Sequence, residues 1–473
     1  MKAEMKAVVA SIVVIALALT AVSGITYSWF SDEEKATIDV TTGVIDIKST
    51  GATIAINDGA PVSFDFVKDE PTAVALSTPL KPGDVISVKY TTENNSTIDA
   101  FLIIDCNLNV FTGKQTISTE VKSEGSAVAP VSGHYVLSKD TTYSVEITIE
   151  ISTDADNTFA NKTGTLTITN KAIQSDAPLA VSTAEDLTDA LANEAIKSIE
   201  FTGNITSAIT TDRDVELIVD GTITTDGTTI TVSSGTLTLS GDGVIKNTKR
   251  ATGIAAVVVS PGAGFIMNGG NLESDFIGLR IGDANSNFDA EPATAQLNSG
   301  IIVSTEGAIL IGNNSTVSIT GGEFTSNDNA VLMGNGSKIK NVTVNVTGGT
   351  FIGNIQTAGC AACGIFVSSP GNWNIDGATF KIKNGTAICV RTGNVVIGTH
   401  NTYEITVDDG FTGSKIGDST YIIKAGSTSV ITGYYDSGYN HTDTDSLKVG
   451  DKDISLGGTI SYYDKDGNSV SMS

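Results

Sequence analysis

Positive charge, sulfur and bulky aromatic side chains are all scarce in this chain of 473 residues, and each scarcity removes a class of protein. Lys and Arg total 28 against 53 Asp and Glu, a net charge of −25 with neutral His. A surface that negative repels a polyanion over most of its area, which argues against nucleic acid as a partner. The four cysteines, Cys106, Cys360, Cys363 and Cys389, are too few for a disulfide framework, and domains of this size do not need one. The three histidines, His134, His400 and His441, stand far apart, and the sequence holds no His-Glu-x-x-His, so no zinc-protease motif is visible. Pro, at 9, and Trp, at 2, are rare, whereas Gly reaches 49 beside many Thr, Ser, Val and Ile. That is the composition of short strands joined by tight turns, an all-β chain. Its length exceeds one compact core, and two main domains fit it best.

Lys2 and Lys6 precede an uncharged apolar run from Ala7 to Val22, followed by the small residues Ser23 and Gly24. This is a signal-peptide pattern, and it places the protein outside the cell, at the cell surface. The run is short for a bilayer span of about twenty residues, although extension through Ile25 leaves an uncleaved anchor open. Residues 1–28 are therefore a signal peptide or an N-terminal anchor, and membrane contact arises only through this segment if it is retained.

From Ile38 to Ile168 apolar and polar residues alternate between turn signals, as in Val85-Ile86-Ser87-Val88-Lys89-Tyr90 and Tyr143-Ser144-Val145-Glu146-Ile147-Thr148-Ile149. Period-two patterning means half-buried strands, and several at short spacing predict a β-sandwich over 29–172. The segments Thr26-Tyr27-Ser28-Trp29-Phe30-Ser31-Asp32, Ala36-Thr37-Ile38 and Gly43-Val44-Ile45-Asp46-Ile47 resemble the mature start of the TasA/camelysin family of secreted biofilm-fibre proteins. Leu80-Lys81-Pro82-Gly83-Asp84, then Glu93-Asn94-Asn95-Ser96 leading into an apolar strand from Ala100 to Ile104, is similar to a second block of that family.

The resemblance covers about residues 1 to 170 and carries three implications. A SipW-like signal peptidase would cut near Ser28, so that the mature chain begins around Trp29. The domain would be a jelly-roll sandwich. Copies would polymerise by passing the mature N-terminal strand into the next subunit's sheet, as in related archaeal bundling pili. The donor strand is expected at about Trp29 to Ile47, with Trp29, Phe30, Ile38, Val40, Val44, Ile45 and Ile47 facing pockets. Pairing of the same segment inside its own domain, as a first strand, stays open.

After Lys171 a polar stretch, Gln174-Ser175-Asp176-Ala177-Pro178, reads as a linker over 173–181. Ser182-Thr183-Ala184-Glu185 has the form of a capping box, and Leu187, Leu191 and Ile196 share one face of a helix expected at 182–198. Beyond it two motifs recur in phase. The first comprises Met267-Asn268-Gly269-Gly270, Leu297-Asn298-Ser299-Gly300, Ile319-Thr320-Gly321-Gly322, Val346-Thr347-Gly348-Gly349 and Ile375-Asp376-Gly377-Ala378, at offsets of 30, 22, 27 and 29 residues. Each is followed by a small residue and a mostly apolar triplet, at Gly278, Ala308, Ala330, Gly364 and Ala387.

Coils of this length with Gly at their turns predict a parallel β-helix over 182–440, right-handed by the general chirality of parallel crossovers. Expected inward pairs are Leu279/Ile281, Ile309/Ile311, Val331/Met333, Ile365/Val367 and Ile388/Val390, with Arg280 outward. The looser segments Val215–Val219 and Thr236–Ser240 extend the stack towards the cap. The pattern is similar to pectate-lyase-like β-helix domains, a likeness of fold that does not give function. Residues 441–473 read as a C-terminal β-hairpin or cap.

Catalytic constellations are sparse. Asp275, Asp283 and Asp289 lie near Arg280 around an insertion from Asp283 to Ala295, the best cleft visible in the sequence, but no carboxylate pair has a lyase or hydrolase context. Cys360-x-x-Cys363 lacks the second pair that zinc needs. A bridge within that loop, a bridge from Cys363 to Cys389, and free thiols remain as alternatives, and Cys106 reads as a buried thiol. Asp464-Lys465-Asp466-Gly467-Asn468 reads as a hairpin turn rather than a calcium loop. Tyr421, Tyr434, Tyr435 and Tyr439 form either a sugar platform or a cap. Asn94, Asn95, Asn161, Asn204, Asn313, Asn314, Asn335, Asn341, Asn345, Asn384 and Asn440 stand in glycosylation sequons, which abundant Asn and Thr also produce by chance.

No cofactor is implied. The expected role is a secreted filament or biofilm-matrix subunit whose partners are copies of itself and, through the displayed β-helix, surface carbohydrate. The alternatives are a non-polymerising adhesin or carbohydrate-binding protein, and a β-helix polysaccharide lyase or hydrolase.

Overall fold

The computed structural model describes residues 45–67, 70–155, 163–175, 177–283, 289–335, 339–354, 363–383, 386–390, 393–398 and 400–406, with the strands Ile423–Ala425, Ser446–Val449 and Thr459–Tyr463. The chain divides into units 1–42 and 43–473, and every described residue lies in the second. It is a β-sandwich followed by a parallel β-helix.

Among the described residues the sandwich has ten strands: β1 (Ile47–Ile56), β2 (Val62–Ser63), β3 (Thr72–Ala75), β4 (Val85–Asn94), β5 (Ala100–Leu108), β6 (Gln115–Ser123), β7 (Ser126–Val128), β8 (His134–Leu137), β9 (Thr141–Ile151) and β10 (Thr165–Gln174). They form antiparallel sheets ordered β2-β1-β4-β9-β6-β7 and β3-β10-β5-β8. Alternation in the sequence becomes alternation in burial. Ile86, Val88 and Tyr90 of β4 and Val145, Ile147 and Ile149 of β9 point inward against Leu102, Leu166 and Ile168. Each fully buried aliphatic side chain contributes about 1.5–3 kcal/mol relative to exposure. Phe101 and Val131 instead join the β-helix core, with Val136 and Ile173 packed against it, so the four-stranded sheet abuts the first coils.

The expected linker shrinks to residues 175–178, because β10 runs to Gln174 and the first β-helix strand, β11 (Leu179–Val181), already pairs in parallel with Ser198–Phe201. Between them stands a helix, α1 (Ala184–Ala192), shorter than the predicted 182–198 because the chain re-enters the sheet at Ser198. Its cap is one residue later than the sequence suggested: Thr183 Oγ1 accepts from the Asp186 amide at 3.1 Å. Leu187, Leu191 and Ile196 are buried as expected. Arg213 closes the other end, donating through Nε to Leu191 O and through Nη2 to Ala190 O at 2.8 and 2.9 Å, which satisfies carbonyls that α1 leaves open.

Among the described residues three parallel sheets of 11, 10 and 9 strands make the β-helix, here called sheets I, II and III. Sheet I begins with β11, sheet II with Asn204–Ile205 and sheet III with Ile209–Thr211. Gly270, Gly300, Gly322 and Gly349 occupy one corner of successive coils, between sheets I and II, with φ between +83° and +99°. Only Gly adopts that conformation without strain. Inside, Phe324, Phe351, Phe380 and Tyr403 of sheet II stack with ring centroids 5.4 Å apart. Outside, Asn pairs link coils, as from Asn374 Nδ2 to Asn345 Oδ1 at 3.0 Å.

In sheet III the register runs Leu279, Ile309, Leu332, Ile365, Ile388. In the third coil Leu332 and Gly334 take the register of Ile309 and Ile311, so Met333 stands outward beside Leu310 and Phe366, contrary to expectation, while Val331 is fully buried in the core as expected. One additional residue before this strand shifts the parity, and a slip of one reverses every side chain. Val215–Val219 and Thr236–Ser240 pair with each other as expected. Thr459–Tyr463 pairs in parallel with Thr402–Thr406 and so continues sheet II, while the hairpin turn expected at Asp464–Asn468 lies outside the described residues.

Candidate functional site

The sandwich has an open edge. Among the described residues β3 has no strand on its outer side, and β1 meets the two-residue β2 only at Thr53 and Ile54. Between these edges lies a groove of about 560 Å³ lined by Ile54 to Asn57, Val62, Val74 to Pro79, Lys81 and Asp84. Val62, on the groove, is 61% exposed, an apolar side chain at an edge that sheets ordinarily cover or charge. The motif at Leu80–Asp84 builds one end of it. Leu80 is fully buried, Gly83 has φ +88°, and Asp84 accepts from the Lys81 amide at 2.7 Å and from Asn57 Nδ2 at 2.6 Å. Asn57 Oδ1 accepts in turn from the Val85 amide at 2.9 Å.

The second motif holds the opposite end of β1. Asn94 is buried, donating to Leu137 O at 2.8 Å and accepting from the Ser96 amide, while Ser96 Oγ accepts from the Asp46 amide at 2.8 Å. The Asn95 amide donates to Asp46 O at 2.8 Å. The chain thus leads into the sandwich beside Asn94–Ser96, a strand length of about 30 Å from the groove end at Ile56. Of the expected donor residues, Ile47 opens β1 and pairs with Asn94 of its own sheet, and Ile45 precedes it. Trp29, Phe30, Ile38, Val40 and Val44 lie outside the described residues, as does the Ser28–Trp29 cleavage position.

Several other expected sites change on inspection. Asn94 and Asn313 are fully buried and hydrogen-bonded, the latter accepting from the Lys340 amide at 2.8 Å, so neither is open to a glycan. Asn95, Asn204, Asn341 and Asn345 are exposed, Asn314 and Asn335 are half-buried, and Asn161, Asn384 and Asn440 lie outside the described residues. Cys363 pairs with Thr386, and Cys389 with Phe366. Three residues of register separate the two cysteines by about 10 Å along the strands, too far for the expected Cys363–Cys389 bridge. Cys360 lies outside the described residues. Cys106 is half-buried rather than buried, and burial, with Asp105 adding, pushes its thiol up to about 11.

A second cleft, about 510 Å³, opens on the outer face of sheet III. Its floor is the outward column Arg280, Leu310 and Met333. One wall comes from the positions just before the strands, Ile254, Phe276, Glu306 and Asn329. Arg280 Nη1 donates to Gly253 O at 2.9 Å, and its buried Nε has no hydrogen-bond partner. Arg250 engages Glu306 and stands 3.5 Å from Asp328, so that one guanidinium neutralises two carboxylates. The sequence singled out Asp275, Asp283 and Asp289 around Arg280, but none of them lines the cleft. Asp275 and Asp289 are exposed, and Asp283 bridges to Asn313 on the next coil. The sequence did not bring Arg250, Glu306 and Asp328 together because they come from different coils. Aligning residues by distance from the inward Leu279, Ile309 and Leu332 would have brought Phe276, Glu306 and Asn329 together.

Residues 4–125 match the family model described as camelysin metallo-endopeptidase, which bears out the resemblance seen in the N-terminal motifs. Among the described residues of that segment no donor set for the metal in that description comes together. The matched segment holds no histidine, and among the described residues no group of three or more His, Cys, Asp or Glu could hold a metal ion. No curated protein matches the chain. Among solved structures, the crystal structure of Agl-KA catalytic domain is similar at 11% identity over 88% of this chain and 97% of that one. Its TM-score of 0.23 is too low to support an argument. Among the described residues no helix is long and apolar enough to cross a membrane.

Proposed function

We propose that the protein is an exported cell-surface structural subunit that assembles head to tail and displays its β-helix, without catalysis. The observation that carries this reading is the polarity of the sandwich. The chain enters at the Asn94–Ser96 end, while the groove, of mixed polar and apolar lining, opens towards the other end, between the edges of β1 and β3. A segment upstream of Ile47, freed by cleavage near Ser28, adds as a strand to the groove of the next copy. It satisfies that copy's edge backbone groups and fills its pockets with alternate side chains. The sixteen residues 29–44 span up to about 55 Å when extended, ample for such a bridge.

Electron microscopy of the purified mature protein tests this. Filaments are expected from the mature chain and not from a variant lacking residues 29–44, and a synthetic 29–44 peptide added in excess should cap growth. Filaments from the truncated variant, or monodisperse particles from the mature chain at every concentration, would overturn the reading.

A further inference from the structure

We infer that the cleft on the outer face of sheet III binds a small carboxylate with an apolar body, the carboxylate on Arg280 and the body on Leu310 and Met333. This is independent of the polymerisation reading, since the cleft lies on the β-helix and the groove on the sandwich.

The case begins with charge. Arg280 is half-buried on a sheet face, Nη1 is fixed on the Gly253 carbonyl, and Nε is buried without a partner. Among the described residues it joins no ion pair, although the chain carries 53 acidic residues. The nearby carboxylates of Glu306 and Asp328 are engaged by Arg250. A half-buried guanidinium whose Nε lacks a partner leaves a buried donor unsatisfied, and a ligand carboxylate can accept from it with bidentate geometry. Beside it Leu310, Met333, Phe276 and Ile254 offer apolar surface, with the polar side chains of Thr252, Glu306, Asn329 and Asn335 completing the lining. A volume near 510 Å³ falls in the usual range for small-ligand sites.

Two further features narrow the ligand. The net charge of −25 repels anions at long range, so a polyanion is disfavoured and discrimination must arise at contact. In sheet III the strands Ile277–Ile281 and Gly307–Ile311 are paired on both sides, which leaves no free strand edge for an extended peptide to join. The ligand is therefore held by its end group and its apolar body. A free acid and the terminal carboxylate of a chain ending in an apolar residue share that chemistry.

The test titrates the full mature protein, by calorimetry and ligand-observed NMR, with 3-phenylpropionate, its neutral amide, an N-acetylated dipeptide ending in Phe, and galacturonate. Saturable binding is expected for phenylpropionate or the dipeptide, whichever is tighter identifying the source. The amide and the fully polar galacturonate should bind at least tenfold more weakly. Arg280→Gln should weaken binding at least tenfold, and Arg280→Lys should restore part of it. Leu310→Trp, which fills the floor and keeps the arginine, should also abolish binding, so a folding defect in one variant leaves the other to decide. No binding of either carboxylate, equal binding of acid and amide, preference for galacturonate, or full binding by folded Arg280→Gln would each overturn the assignment.

Discussion

In the sandwich, β4 pairs with β9 over ten residues, from Val85 opposite Glu150 to Asn94 opposite Thr141, so one sheet depends on chain segments far apart in sequence. In the β-helix, strands of mostly three to five residues pair with the strand one coil away, as Leu279 with Ile309 and Ile309 with Leu332. The first arrangement stands or falls as a whole, whereas the second adds stability coil by coil. The two differ in where function can sit as well. The sandwich keeps its opening at an edge, between β1 and β3, while the β-helix, with its strands paired on both sides, offers only its outward face.

Phe351→Ala gives the largest expected effect on this comparison. Its ring stacks on Phe324 and Phe380 at 5.4 Å on either side, and the truncation should cost about 3–5 kcal/mol. The loss should fall on the β-helix alone. Cys106 reports on the sandwich, because a thiol held near 11 is a poor nucleophile until its domain opens. Denaturant titration with alkylation mapped by mass spectrometry should show the β-helix cysteines exposed earlier in the variant and Cys106 unchanged. If Cys106 moves equally, the contact through Phe101 and Val131 makes the two regions one cooperative unit and the comparison fails.

The same contrast explains what the sequence disclosed. Corner glycines were legible because positive φ restricts the residue type, so Gly270, Gly300, Gly322 and Gly349 marked the coils without any structure. Met333 was not, since Ala330-Val331-Leu332-Met333 is apolar throughout and carries no parity with which to detect a slip of one residue. The sandwich strands were visible from alternation, but the groove was hidden because its two sides, at β1 and β3, meet only after the sheets close. The sheet III cleft is intermediate. Its wall was encoded in phase with a repeat already in view, and only the insertion at Asp283 drew attention elsewhere.

Asp84→Ala should have a middle-sized effect, confined to the other side of the comparison. It removes the acceptor for the Lys81 amide and for Asn57 Nδ2, a loss of about 1–2 kcal/mol for charge-assisted bonds near the surface. Sandwich melting should drop while the β-helix transition stays in place. Because this turn forms one end of the groove, filament assembly should weaken more than stability alone accounts for, which parallel melting and sedimentation measurements would separate.

The smallest effect is expected from acid, and it distinguishes the regions by where their carboxylates are held. In the β-helix, burial raises the Asp376 carboxyl, but hydrogen bonds from the His400 ring and amide, at 2.8 Å each, outweigh that and hold it below the usual carboxylate range. In the sandwich, Asp154 is held low by hydrogen bonds from Ser152 and Lys114, yet it is fully exposed, so solvent and salt screen most of its contribution. A depressed carboxylate stabilises the fold fully above its unfolded value of about 3.9 and loses that contribution as pH falls through the lower folded value. Both regions should therefore weaken below about pH 4, the β-helix limb more steeply. Asp376→Asn should flatten the acid limb of the β-helix transition and leave the sandwich limb as it was, and Asp154→Asn should change either limb very little. Equal flattening by both variants in thermal melts between about pH 2 and 6 would show that exposure, rather than the turn around His400, sets the acid response.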